Sequence, residues 1–149
     1  MILLAHMLFG AAIGAQIHSP YLAMLLALLG HYFLDLFPHI EYSVDNIQNK
    51  NWRKSLPDIL KVSADFWLAM LIVFLFSKGQ PIVYICALIT VIPDAFTVIS
   101  SIVKSKILKT HDIVHTKYIH YLTKQKKFPV FWKIMTQVVA IFVSTILLN

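Results

Sequence analysis

The chain has 149 residues, close to the size of one domain. Hydrophobic residues make up 58% of it and charged residues 13%, against about 45–50% and about 25% in soluble proteins. Thirteen basic and seven acidic side chains cannot cover a water-soluble surface with 3 Trp, 6 Tyr and 10 Phe also to bury, and a disordered chain would be poor in apolar residues. The composition therefore predicts a single all-α integral membrane domain over 1–149, built from about five hydrophobic helices and one amphipathic helix.

The first apolar segment covers 2–17. It lacks a basic leading region and carries His6, so it reads as a retained helix rather than a signal peptide. Gly10 and Gly14, beside Ala11 and Ala15, form a GxxxG face that lets another helix approach closely. Ser19 and Pro20 have the residue types of an N-cap and first helical position, opening a second segment over 20–37, before Pro38. Ser55 and Asp58 have capping-box spacing and open a third segment over 56–77. Gly79 and Pro81 read as a stop and a start, with a fourth segment over 81–103, and the fifth covers 129–148. Cys86 stands alone in an apolar run, so it reads as a small buried hydrophobe with no disulfide partner. His18 falls beside a turn.

Short connections impose an up-down arrangement. Twelve of the 13 basic residues then share one side, in the stretches 41–61 and 104–127 and at Lys133, and only Lys78 lies opposite. The positive-inside bias places that side in the cytoplasm of a bacterial or archaeal inner membrane, with a cytoplasmic amino terminus and a multi-pass topology. Anionic lipid accounts for the +6 charge, and no nucleic acid is needed as a partner. Between these segments, 106–123 reads as an amphipathic helix on the cytoplasmic surface. Leu108, His111, His115, Tyr118, Ile119 and Leu122 share a stripe about 120° wide, with His120 about 140° from His115.

Ionisable residues inside apolar segments cost a few kcal/mol each and demand partners. His6, His31, Asp35, Asp65 and Asp94 all fall in one layer roughly 5–14 Å below the cytoplasmic boundary, at 1.5 Å per residue. His39 and Glu41 follow just past the second segment. His31 and Asp35 share a stripe at i,i+4, with His39 one turn further on. Asp94 follows the mid-helix Pro93, where a broken helix is expected to line a polar cavity. Imidazole and carboxylate together suit a divalent metal, zinc first and manganese or iron as alternatives, and the number of donors admits two ions. The expected ligands are His6, His31, Asp35, His39, Asp65, Asp94 and His115, with Glu41 or Asp94 to take a proton from metal-bound water.

The string Gly30-His31-Tyr32-Phe33-Leu34-Asp35-Leu36-Phe37-Pro38-His39-Ile40-Glu41-Tyr42 resembles the YdjM-like family of small bacterial inner-membrane metal-dependent hydrolases. So do His6 ahead of a Gly/Ala helix, Pro93-Asp94 and the late histidines near His115. The His31-xxx-Asp35 pattern is also similar to the metal helix of zinc-dependent phospholipases C. The chain lacks the Arg-Gly-x-Thr-His-Ser motif of better-known family members. These resemblances imply hydrolysis of a phosphoester or ester on a lipid-like substrate at the cytoplasmic leaflet, with membrane lipids as partners. Two other readings stay open on the residues alone: a proton or metal-ion conduit, and a non-enzymatic adaptor with a basic surface.

Overall fold

The structure, a computed structural model, describes residues 1–121 and 128–149. It is helical, with no strand among the described residues. The first segment forms α1, Leu3–Gln16, and the second forms α2, Pro20–Asp35. A short helix α3, Asp45–Gln48, leads through a 3₁₀ turn to α4, Leu56–Phe76. The fourth segment is broken into α5, Pro81–Ile89, and α6, Ile92–Ile102, bent by 43°. Pro93 offers no amide to the carbonyl one turn back, which accounts for the break. The amphipathic segment begins as α7, Lys106–Ile113, and widens into a π-helical turn over Val114–Ile119. The predicted end of that helix, including Leu122, and Lys124, Lys126 and Lys127 lie outside the described residues. The last helix is α8, Val130–Leu148.

Among the described residues, α4 and α8 are long and apolar enough to cross a membrane, and the bent pair α5–α6 makes a third span if taken together. The first two helices are shorter, at 14 and 16 residues. Helix α1 packs against α2, α4, α5 and α8. Gly10 and Gly14 make this close packing with α5, as the GxxxG face predicts. A Cβ on Gly10 would lie 1.8 Å from Thr90 Oγ1, and one on Gly14 would lie 3.0 Å from the Ile82 carbonyl oxygen. The core gathers Met7, Leu8 and Ala11 of α1 with Ala69, Val73, Val83 and Ala87.

Two predicted caps are corrected. Ser55 makes no side-chain bond to the amides of α4; its hydroxyl donates to the Asn51 carbonyl (2.9 Å). Asp58 accepts the backbone N–H of Asn46 (3.0 Å), so it ties α3 to α4 instead of completing a capping box. Ser19 likewise sits at the start of α2 without a side-chain cap bond, while Pro20 takes the first-turn place its fixed φ suits. Lys78 and Gly79 both have positive φ (51° and 72°) after α4, the left-handed step expected of a helix stop there.

Candidate metal centre

Helix α2 ends at the site. His31 and Asp35, one turn apart, both face inward and are fully buried. His6, in α1, stacks on His31 with ring centroids 4.2 Å apart. The chain after α2 turns back under the bundle and presents His39 and Glu41. Helix α8 holds this loop: Thr136 donates to the Pro38 carbonyl, and Gln137 Nε2 to the Ile40 carbonyl at 2.6 Å. The break in the fourth segment puts Asp94 in the first turn of α6, and the π-helical turn brings in His115, with His120 immediately after it.

All of these converge on the Asp35 carboxylate. Oδ2 lies 3.1 Å from His31 Nε2, 3.1 Å from His115 Nε2 and 3.2 Å from His120 Nε2. Oδ1 lies 3.1 Å from His6 Nε2, 3.8 Å from His39 Nε2 and 3.0 Å from the Met1 amino nitrogen. Asp94 Oδ1 stands 3.6 Å from His31 Nε2 and 4.0 Å from His115 Nε2, and those two nitrogens are 3.1 Å apart. A carboxylate has about four lone-pair sites, so five imidazoles exceed what simple hydrogen bonding to Asp35 can satisfy.

The tautomer of His115 sharpens this point. The Thr97 hydroxyl donates to the Pro93 carbonyl (3.3 Å), so its oxygen accepts from His115 Nδ1 (3.0 Å). With the proton on Nδ1, the Nε2 lone pair of a neutral ring faces the oxygens of Asp35. Two lone pairs at 3.1 Å repel unless a cation lies between them. His31, Asp35, Asp94 and His115 each offer a ligand atom, all within 4.8 Å of one another. Donors about 2.0–2.2 Å from one ion are separated by roughly 3.0–3.6 Å; the pairs here run from 3.1 to 4.0 Å, so with a small inward shift of Asp94 this set could hold a divalent metal. Thr97 is then the partner that orients a ligand ring.

Asp65 takes part elsewhere. Its Oδ2 accepts the Leu4 N–H (3.1 Å) and the Tyr42 hydroxyl (3.3 Å), so it joins the start of α1 to α4 and is in neither ligand group found among the described residues. Burial and the Asp65 charge push the Tyr42 hydroxyl up, which keeps it a donor. His18 is exposed, as a turn residue should be.

Three residues enter that the sequence reading did not assign to the site. His120 Nδ1 approaches Glu41 Oε1 to 2.6 Å. Burial lowers the pKa of His120, but Asp35 and Glu41 outweigh it and push the value up to about 9; a ring so placed draws positive charge. Tyr32 OH pairs with His111 Nε2 at 3.0 Å, and the His111 ring stacks on His115. Burial, then the neighbouring His115, lowers the pKa of His111 and keeps that ring neutral.

A cavity of about 1420 Å³ opens onto this cluster. Glu41, Asp94, His115 and His120 line it, Val91, Val98 and Ile99 give it apolar surface, and Lys104, Lys106 and Lys109 line it together with Asp45 and Asp112. No family model, no curated protein and no solved structure matches the chain.

Proposed function

We propose that the protein is a membrane-embedded, metal-dependent hydrolase of the YdjM-like kind, acting on a phosphoester or ester of a lipid-like substrate at the cytoplasmic leaflet. The observation that carries this reading is the crowding of five imidazole nitrogens around the buried Asp35 carboxylate, beside a cavity whose lining combines apolar side chains with lysines. A transport path would need polar groups through its whole depth; here the ionisable groups of the apolar helices gather at one level.

His31, Asp35, Asp94 and His115 would hold a divalent ion, zinc by preference for a mixed imidazole–carboxylate set, with manganese or iron as alternatives. Such an ion supplies Lewis acidity and a water with a pKa near 7. Asp94 is the carboxylate placed to accept that water's proton, because it borders the cavity and is about a third exposed (32%). Glu41 is the weaker base. Burial would raise its carboxyl, but the imidazoles of His120 and His39 outweigh burial and hold it well below the usual carboxylate range. Lys104, Lys106 and Lys109 would meet an anionic head group, and Val91, Val98 and Ile99 an acyl chain. The positive-inside bias of the basic stretches supports putting this end of the molecule at the cytoplasmic leaflet, with α4, α8 and the bent pair α5–α6 as candidate spans.

The test is elemental analysis of the detergent-purified chain, beside hydrolysis of bis-p-nitrophenyl phosphate and of short-chain phospholipids. Bound metal and turnover, both lost in His31→Ala/Asp35→Ala, are the expected result. Native protein without a transition metal, or loaded protein inert toward every ester offered, defeats the proposal.

A further inference from the structure

A second group of residues around Asp35 has a separate electrostatic problem. His39 Nδ1 lies 2.7 Å from the Phe37 carbonyl oxygen, which can only accept, so the ring proton is on Nδ1. The Nε2 of a neutral His39 therefore carries a lone pair, and it faces Glu41 Oε1 at 2.9 Å and Asp35 Oδ1 at 3.8 Å. Three electron-rich atoms meet there, with His39 only 1% exposed. His120 closes the group: Asp35, His39 and His120 offer donors all within 4.8 Å of one another, a set that shares only Asp35 with the first.

From this placement we propose a second divalent cation, held by His39, His120 and Glu41, with Asp35 bridging it to the first. The inference rests on the metal-binding reading above and adds a metal position to it. Protonation of the rings is the competing solution. It would place two imidazolium rings 5.1 Å apart, whereas one divalent ion meets the Nε2 lone pair of His39 and the carboxylates it faces at once. Carboxylate-bridged pairs of ions about 3.5–4 Å apart suit displacement at phosphorus, because each ion can take one of the two oxygens that exchange charge.

The experiment loads the full chain in detergent with Zn²⁺ or with Mn²⁺, removes the excess, and reads metal per chain and the low-temperature electron paramagnetic resonance of the Mn²⁺ form. Two ions per chain and a spin-coupled spectrum are expected. His39→Gln and Glu41→Gln should each lower the ratio from two to one and leave the six-line spectrum of an isolated ion, with helicity by circular dichroism unchanged. Glu41 is partly exposed, so Glu41→Gln decides the matter if His39→Gln does not fold. One ion in the native chain, unchanged in both variants, overturns the second position and leaves the hydrolase reading standing. Two ions retained in Glu41→Gln and in any folded His39→Gln overturn the ligand assignment, and no ion in the native chain removes both proposals together.

Discussion

Helices α1 and α8 are both apolar, yet they are built inside out relative to each other. Of the 14 residues in α1, nine are buried: Leu4, Ala5, His6, Met7, Leu8, Gly10, Ala11, Ala12 and Gly14. Of the 19 in α8, three are buried, and two of those are Gln137 and Ser144. Its large side chains, Phe131, Trp132, Phe142 and Ile146, point outward and are more than half exposed. Where the surroundings are acyl chains, burying Leu or Phe against protein gains little, so small and polar groups take the packed positions and bulky ones face lipid. Hydropathy and length therefore pick out α8, a wall, and understate α1, the helix that carries part of the site.

The largest break in that contrast comes from filling the closest approach. Gly10→Leu puts a Cβ 1.8 Å from Thr90 Oγ1 and 2.5 Å from the Cys86 carbonyl oxygen, and the second of these is backbone. Helix α1 cannot move away from α5 without moving into α2, α4 or α8, and it would carry His6 with it. Overpacking of this kind costs about 3 kcal/mol or more. The expected outcome is loss of the monodisperse peak in fluorescence-detected size exclusion; a folded Gly10→Leu with native metal content would show that α1 is not held as described.

Next in size is Asp35→Asn, which keeps the shape of the side chain and removes its charge. Leaving buried groups without their charged partner costs about 3–5 kcal/mol. Metal content should fall below one-tenth of an ion per chain, and hydrolysis with it. In the native protein EDTA should lower Tm, since a ligand at 100 times its Kd adds about 2.7 kcal/mol to the folded state. Asp35→Asn should show no EDTA response. An undiminished response would mean that the ion is bound elsewhere.

Thr97→Val is gentler. It preserves volume at the α6 position but removes the oxygen that holds His115 Nδ1. A lost orienting partner typically weakens a metal site 10–100-fold. Competition with a chromophoric chelator measures this directly, and an unchanged affinity would place the His115 tautomer under some other control.

Much of this architecture was legible before any coordinates. Pro20, Pro38, Pro81 and the charged stretches mark the helix ends to within two residues, because a proline or a desolvated charge dictates the backbone locally. The meeting of His6, His31, Asp35 and Asp94 was legible too, since a residue count brings them to a similar level of their helices. Azimuth was not. Asp65 lies in the right layer, but its Oδ2 turns to Leu4 and Tyr42, and no periodicity argument distinguishes those partners from a metal. His120 shows the opposite case. At about 100° per residue it falls some 140° from His115, facing away. The chain instead makes a π-helical turn, with the His120 N–H donating to the His115 carbonyl at 3.2 Å. At about 4.4 residues per turn, five residues return nearly to the same face, so both rings reach Asp35. The wide turn is a tertiary outcome, as the break at Pro93 is a local one. Neither Asp35 nor Glu41, the groups the His120 ring meets, is near it in sequence.

The smallest expected effect tests the wall itself. Phe142 on α8 is 65% exposed, and Phe142→Leu exchanges one apolar surface for another against acyl chains or detergent. Transfer between two apolar media has almost no hydrophobic driving force, so stability should change by less than about 0.5 kcal/mol and metal content not at all. Thermal melts of this variant in detergent and in lipid nanodiscs should superimpose on those of the native chain. A loss approaching that of Gly10→Leu would mean that the outer face of α8 packs against protein rather than lipid. Exposure in the single chain would then mark an interface, and the inside-out rule would hold for α1 while failing for α8.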